Sequence, residues 1–341
     1  MKVAHIYASN CKSNSGDFLI GIAYKKYFKE VILKTNEEIK YTDFDCREKK
    51  NYDDYNISKL NNFDYIILGG GGLILPDTNS NDISCWQWII SYKNINKINK
   101  PIYVLSIGFN LFYNQNMNMN DRNSNKENKE RLPIFKENII TLIKKAEIFT
   151  LRHNDDVIKL KNIIRDNKQY DFIDKIKYEM CATVWYAINY MKPKMQLVNK
   201  KYHAIEIKDD REWRRYYKIG KINFYNKLIV LINKLKEKNI PVLYLSHDGS
   251  NNFYKFLQNK NINLPFLNNS CANENKIIEN YSKISTIYCT AGHSQMISYG
   301  LDIKIISLIT HPKLKNFCDD IDDKNYIDIN HNIDKLFLNV I

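Results

Sequence analysis

The sequence predicts an α/β protein built from two doubly wound parallel sheets. Three observations carry that expectation. Strand-like and helix-like segments alternate through both halves of the chain, and small or polar turns, several with glycine, close the apolar strands. At 341 residues the chain also exceeds what a single core organises, so two domains are the default. The alternation breaks between Tyr190 and Tyr202, where Pro193 and several lysines fall together. Residues 1–190 and 191–341 are therefore the expected domains, facing a cleft.

Composition narrows the class further. A 44% hydrophobic and 13% aromatic content supplies packed cores and excludes a disordered chain. Seven scattered cysteines without a Cys-x-x-Cys pair suggest reduced thiols, with neither a disulfide framework nor a metal site. A net charge of +13 is compatible with nucleic acid, an anionic membrane surface or small anionic substrates, but the lysines are spread among asparagines and isoleucines along the chain, which reads as a solvated surface rather than a specific patch. No apolar run approaches the length of a membrane span, and the N-terminal run is too short for a signal peptide. A cytoplasmic protein is the expectation.

The first strand, Val3 to Ala8, runs into a polar turn and then a helix from Phe18 to about Glu30. Asn14, Gly16 and Asp17 thus lie between a strand's carboxyl end and a helix start, where open α/β sheets bind ligands, with Asp17 as the expected N-cap. The strand Tyr65 to Leu68 leads into Gly69, Gly70, Gly71 and Gly72. Consecutive glycines raise the entropy that folding must overcome, so a close approach of backbone to a ligand explains them better than packing does. Their spacing matches neither a Walker loop nor Gly-x-Gly-x-x-Gly. Asp77 follows, then Trp86 and Trp88, read as core before sugar platform.

The strand Pro101 to Phe109 ends in glycine and Asn110, and residues 114–131 are too polar to pack, which predicts a surface loop. A helix from Leu132 to Ala146 and a strand from Ile148 to Leu151 deliver Arg152 to the same sheet edge. A helix from Asp156 and a strand over Lys175 to Cys181 complete the first half.

The second half restarts as strand (Tyr202 to Ile207), helix (Phe224 to Lys238) and strand (Val242 to Leu245), the last closed by His247 and Asp248. Near its end an apolar strand, Ile284 to Cys289, meets a small-residue turn, a helix ending near Gly300, and a strand from Ile303 to Ile309. His293 then stands at a strand-to-helix turn, where the helix dipole favours anions and an imidazole could give a proton to a bound substrate. A capping or core-packing histidine is the plainer reading of the same position.

Taken in order, Asn14-x-Gly16-Asp17, the glycine run, Ser106-Ile107-Gly108-Phe109-Asn110, Leu151-Arg152-His153-Asn154, and Gly292-His293-Ser294-Gln295-Met296 with Pro312-Lys313-Leu314 resemble the polysaccharide pyruvyl transferase family. The resemblance implies a GT-B-like pair of Rossmann-type domains. It also implies transfer of an enolpyruvyl-derived group from phosphoenolpyruvate to two sugar hydroxyls, giving a pyruvate ketal, with phosphoenolpyruvate as co-substrate and no cofactor or essential metal. The acceptor would be a glycan or lipid-linked sugar, the latter bringing peripheral contact with the inner face of a membrane.

Under that resemblance His293 is the proton donor to the enol carbon, and Arg152 clamps the carboxylate or phosphate. Asp77 orients the acceptor or removes its proton, and Lys313 adds charge at the phosphate. Asn14, Gly16, Asp17, Gly70, Gly71, Gly72, Asn110, Ala291, Gly292, Ser294 and Gln295 line the substrate site.

One position departs from the family, which carries arginine where this chain has Ala291. A missing guanidinium removes a charge-assisted hydrogen bond of about 1.5–3 kcal/mol. A natural variant with Lys313 in compensation, a different donor, and an engineered substitution all remain open. So do two further functions: a GT-B-type glycosyltransferase using a nucleotide-sugar donor, and an inactive sugar-binding protein.

Overall fold

The computed structural model describes residues 1–10, 13–75, 81–112, 128–165, 171–195, 201–249 and 251–340. It divides into two compact units, one of residues 1–11 and 20–182 and the other of 12–19 and 183–341. The second unit includes the start of the first helix, which a single cut in the 190s does not anticipate.

The elements of the first half are β1 (Lys2–Tyr7), α1 (Ser15–Tyr27), β2 (Lys40–Asp45), β3 (Tyr65–Gly69), α2 (Tyr92–Lys97), β4 (Ile102–Ile107), α3 (Asn128–Lys145), β5 (Ala146–Leu151), α4 (Asn154–Ile164) and β6 (Ile176–Tyr178). The six strands are parallel in the order β2-β1-β3-β4-β5-β6, so the order reverses at β1 and β3. β1, β3 and β4 are buried along nearly their whole length, as the strands of a parallel sheet covered on both faces are. Trp86 and Trp88 are fully buried, and the Trp86 indole donates to Asn138 Oδ1 at 2.8 Å. They are core residues, as their composition favoured.

Three local expectations are corrected. α1 begins at Ser15, three residues before the apolar periodicity starts, and its start is held by Asn14 rather than Asp17. The Asn14 Oδ1 accepts from Gly16 N at 3.0 Å, while its amide donates to Asp17 at 2.9 Å. α3 begins at Asn128, and Arg131 is fully buried and ion-paired with Asp82, not part of a surface loop. A charged partner hidden in an apolar wall is invisible to a hydropathy reading. Residues 113–127 lie outside the described residues.

The second half continues with α5 (Ala182–Tyr186), β7 (Tyr202–Glu206), α6 (Glu212–Arg215), α7 (Lys221–Glu237), β8 (Val242–Ser246), α8 (Asn252–Asn259), β9 (Phe266–Asn268), α9 (Glu274–Ser282), β10 (Ile284–Cys289), α10 (Gly292–Gly300), β11 (Lys304–Ile309), α11 (Pro312–Asp320) and β12 (Tyr326–Asp328). Its sheet is parallel in the order β12-β11-β10-β7-β8-β9, which reverses between β7 and β10. α7 presents Phe224, Tyr225, Leu228, Leu231, Ile232 and Leu235 to this core at helical spacing. Both sheets are therefore Rossmann-type, and each has one point where neighbouring strands send their connections in opposite directions. Ligands of open α/β sheets bind outside the carboxyl ends at such points. Among the described residues no helix is long and apolar enough to cross a membrane.

Candidate functional site

In the first unit the glycine run builds a cradle. Gly70 and Gly71 take φ of 86° and 81°, a region costly for side chains, as β3 gives way to the loop after it. A Cβ on Gly72 would stand 1.7 Å from Asn110 Nδ2, and one on Gly108 would stand 2.3 Å from Arg152 Nε. The glycines are thus the room in which Asn110 and Arg152 meet, with Arg152 Nη2 donating to Asn110 Oδ1 at 2.6 Å. Both side chains are buried. Beside them Asp156 accepts from Phe109 N at 3.0 Å, and burial raises its carboxyl above the usual range against the pull of His153 and Arg152. Of the residues expected here, Gly70, Gly71, Gly72, Asn110 and Arg152 come together, while Asp77 lies outside the described residues.

The second unit gathers a different chemistry where its strand order reverses. Glu206 ends β7 fully buried, and one carboxylate oxygen accepts from Thr290 N at 3.1 Å and Ala291 N at 2.9 Å. Burial, with Asp248 nearby, pushes this carboxyl up to about 7, because the two amide donors and Lys208 only partly repay desolvation. Lys208 is ion-paired with Asp248. Burial alone would lower the Lys208 ammonium, but Asp248 and Asp210 outweigh it and hold it above its ordinary value.

His293 is the second residue of α10, after Gly292, and lies against the start of α1. A Cβ on Gly16 would stand 2.1 Å from His293 Nδ1, so only glycine lets the two segments close to this distance. The Lys313 stem passes Gly292, 3.6 Å from where a Cβ would be, which brings its ammonium to the same edge. Lys313 N donates to His311 Nδ1 at 3.2 Å, the cap that starts α11.

His247 is the neighbour of His293, with ring centroids 6.3 Å apart. The Ser15 hydroxyl donates to the His247 carbonyl at 2.8 Å, and its oxygen lies 3.0 Å from His247 Nδ1. Ser15 has a single proton, so Nδ1 must carry the hydrogen of the second contact and Nε2 is left as an acceptor. Burial pulls His247 down to about 4, and the imidazole is neutral at ordinary pH.

The second unit thus joins Asn14, Gly16, Asp17, Ala291, Gly292, His293 and Lys313 at one edge. Ser294 and Gln295 behave differently, since both are fully buried. Gln295 Nε2 donates to Ser307 Oγ at 2.7 Å and to the Leu314 carbonyl at 3.0 Å, fastening α10 to β11 and α11. They position the turn from behind. Ser15, Glu206 and Lys208 escape a sequence reading, and His247 shows there only as a strand end. Each becomes meaningful only once strand order brings residue 15 beside residue 247 and residue 206 beside residue 290. Among the described residues no group of three or more His, Cys, Asp or Glu side chains is placed to hold a metal.

Solved structures share this architecture. The chain resembles the UDP-GlcNAc 2-epimerase of Methanocaldococcus jannaschii in complex with UDP-GlcNAc and UDP, with a TM-score of 0.53, 12% identity, and coverage of 100% of this chain and 92% of that one. It also resembles the S. aureus MnaA–UDP structure, with a TM-score of 0.52, 9% identity, and coverage of 99% and 86%. The fold is GT-B-like.

At these identities the likeness concerns fold. No family model and no curated protein sequence matches the chain.

Proposed function

We propose that the chain is a GT-B-type transferase of glycan assembly that takes a nucleotide-linked sugar as donor on its second unit. The observation that carries this reading is the edge where β7 and β10 diverge. There the amino-terminal end of α10, His293 and the Lys313 ammonium converge on one place suited to phosphate. His293 serves as the acid or base for the oxygen that gains or loses a proton as the sugar is transferred. The fold likeness to structures that hold UDP and UDP-GlcNAc supports a nucleotide-linked ligand, and the choice of this edge rests on its own geometry. In the first unit the Gly72–Asn110–Arg152 cradle is the acceptor side, where buried donors and acceptors read sugar hydroxyls.

A second reading, ketal pyruvyl transfer from phosphoenolpyruvate, draws on one specific observation. Residues that carry the pyruvyl transferase resemblance fall into contact, Gly16 against His293 and Gly72 and Gly108 around Asn110 and Arg152. In that reading His293 protonates the enol carbon, and Lys313 stands in for the arginine that Ala291 replaces.

A thermal-shift titration with UDP, UDP-GlcNAc and phosphoenolpyruvate separates the two. A ligand at one hundred times its Kd stabilises the native state by about 2.7 kcal/mol. The nucleotide reading expects shifts with UDP and UDP-GlcNAc and none with phosphoenolpyruvate. A shift with phosphoenolpyruvate alone, larger in Ala291→Arg, replaces it with the pyruvyl reading. No shift with any of the three contradicts both.

A further inference from the structure

Lysines occur along the whole chain, but the net basic excess is less even than that spread suggests. Residues 211–238 hold nine Lys and Arg against two Glu, whereas the whole chain holds 51 against 38. That one segment therefore supplies about half of the net charge of +13. It comprises α6, the turn after it and α7, all in the second unit.

The same segment exposes large apolar side chains. Trp213 is 62% exposed, Ile222 57% and Val230 42%. They are three of the nine large hydrophobics exposed among the described residues. α7 has no need of them for its core, because Phe224, Leu228, Leu231 and Leu235 already form the face that meets the sheet. Ile222 and Val230 are exposed away from that face, and lysines 218, 234 and 236 of the same segment are exposed too, with Lys218 Nζ 2.5 Å from His331 Nε2 and Lys234 Nζ over the Phe337 ring.

The turn that carries Trp213 is braced. Arg211 takes a left-handed backbone conformation, φ 54°, just before α6. Asp210 fixes it there, paired with Arg211 at 2.8 Å and with the buried Arg215 at 2.7 Å, and Arg215 reaches Thr310 Oγ1 at 2.9 Å. An exposed indole at the start of a segment rich in lysine and arginine has the composition of a side chain placed at lipid headgroup level.

We infer that the α6–α7 surface is a docking face for an anionic bilayer, with Trp213 and Ile222 entering the headgroup region and lysines 218, 234 and 236 meeting its negative charge. The charge complementarity selects this occupant over a second copy of the chain, which would bring two basic faces together. The inference stands independently of the donor chemistry proposed above. It places the protein where a lipid-borne acceptor would be.

The test is flotation of the full chain with vesicles of phosphatidylcholine alone and of phosphatidylcholine with about one third phosphatidylglycerol, near which each basic residue is worth about a fivefold change in binding. Binding is expected only with the anionic vesicles and falls as salt is raised. Trp213→Ala weakens it severalfold, and Lys218→Glu with Lys236→Glu weakens it by more than tenfold. Brominated lipid is expected to quench part of the wild-type emission and to lose that effect in Trp213→Ala, which separates Trp213 from the part-exposed Trp185. Trp86 and Trp88 are fully buried and remain unaffected. Absence of binding at low salt, equal binding to both vesicle types, or undiminished binding by the variants overturns the inference. So does concentration-dependent dimerisation that shields Trp213 without lipid.

Discussion

The two units carry the same kind of sheet but put different chemistry at its edge. In the first, glycines open room for an amide and a guanidinium, and Arg152 and Asn110 hold each other. In the second, a single glycine lets the start of α1 press on His293, and the surrounding groups titrate: Glu206 is pushed up to about 7 and His247 is pulled down to about 4. The difference teaches that strand order makes the place while the residues after each strand decide its use. A cradle in which an amide and a guanidinium hold each other suits recognition of hydroxyls. A cluster of imidazoles, a lysine and a helix start suits a phosphate and a moving proton.

The sharpest way to break this division is at His293. His293→Ala is expected to lower turnover by about 10²–10⁴-fold while donor affinity stays within a few-fold, since a proton donor acts mainly in the transition state. Steady-state kinetics with the donor found by titration would show it. Unchanged turnover removes His293 from the chemistry.

Two glycine substitutions sharpen the comparison next. Gly16→Ala sets a methyl 2.1 Å from His293 Nδ1, so the ring must move. Displacements near 1 Å in a catalytic group cost about 10²-fold in rate, and that loss is expected here with little change in melting temperature. Gly72→Ala meets Asn110 at 1.7 Å inside a packed cradle, and overpacking of this kind costs about 1–3 kcal/mol. It should lower stability and leave donor binding to the second unit intact. Reversal of the two outcomes would exchange the roles assigned to the units.

The pH dependence gives a third handle. Glu206 is raised from 4.5 to about 7, so between those values the folded chain binds more protons than the unfolded one. Stability from this group is fully present below 4.5 and is lost as pH rises through about 7. His247, lowered from 6.5 to about 4, has the opposite sign: its contribution is complete above 6.5 and is lost as pH falls toward 4. Glu206→Gln should therefore gain on the wild type as pH rises from 5 to 8 in thermal melts, with a slope confined to the window below about 7. The smallest effect expected is that of Ser15→Ala, about 1 kcal/mol, from the loss of two hydrogen bonds to His247.

Much of the fold was legible in the sequence because hydrophobic period and turn residues are local signals. Alternating strands and helices, Trp86 and Trp88 as core, and the glycines after β3 all follow from neighbours in sequence. The start of α1 was misplaced because Asn14, not Asp17, supplies the cap, and both residue types cap equally well on paper. The burial of Arg131, at the end of a polar stretch that predicts a surface loop, is not legible because its partner Asp82 lies far along the chain. The same limit applies to the site. Gly16 and His293 could each be singled out by position, but their contact depends on the order of strands, and so does the pairing of Ser15 with His247. Gln295 looked like a site residue for its place beside His293, yet helical spacing turns it inward to Ser307.

The measurement that bears most directly on the central claim is amide hydrogen exchange with and without saturating UDP. Peptides covering residues 290–295 and 310–314 are expected to gain protection, because they form the edge assigned to the donor. Those covering residues 69–72 and 108–110 are expected to stay unchanged. Protection confined to the glycine cradle of the first unit would contradict the account and move the donor there.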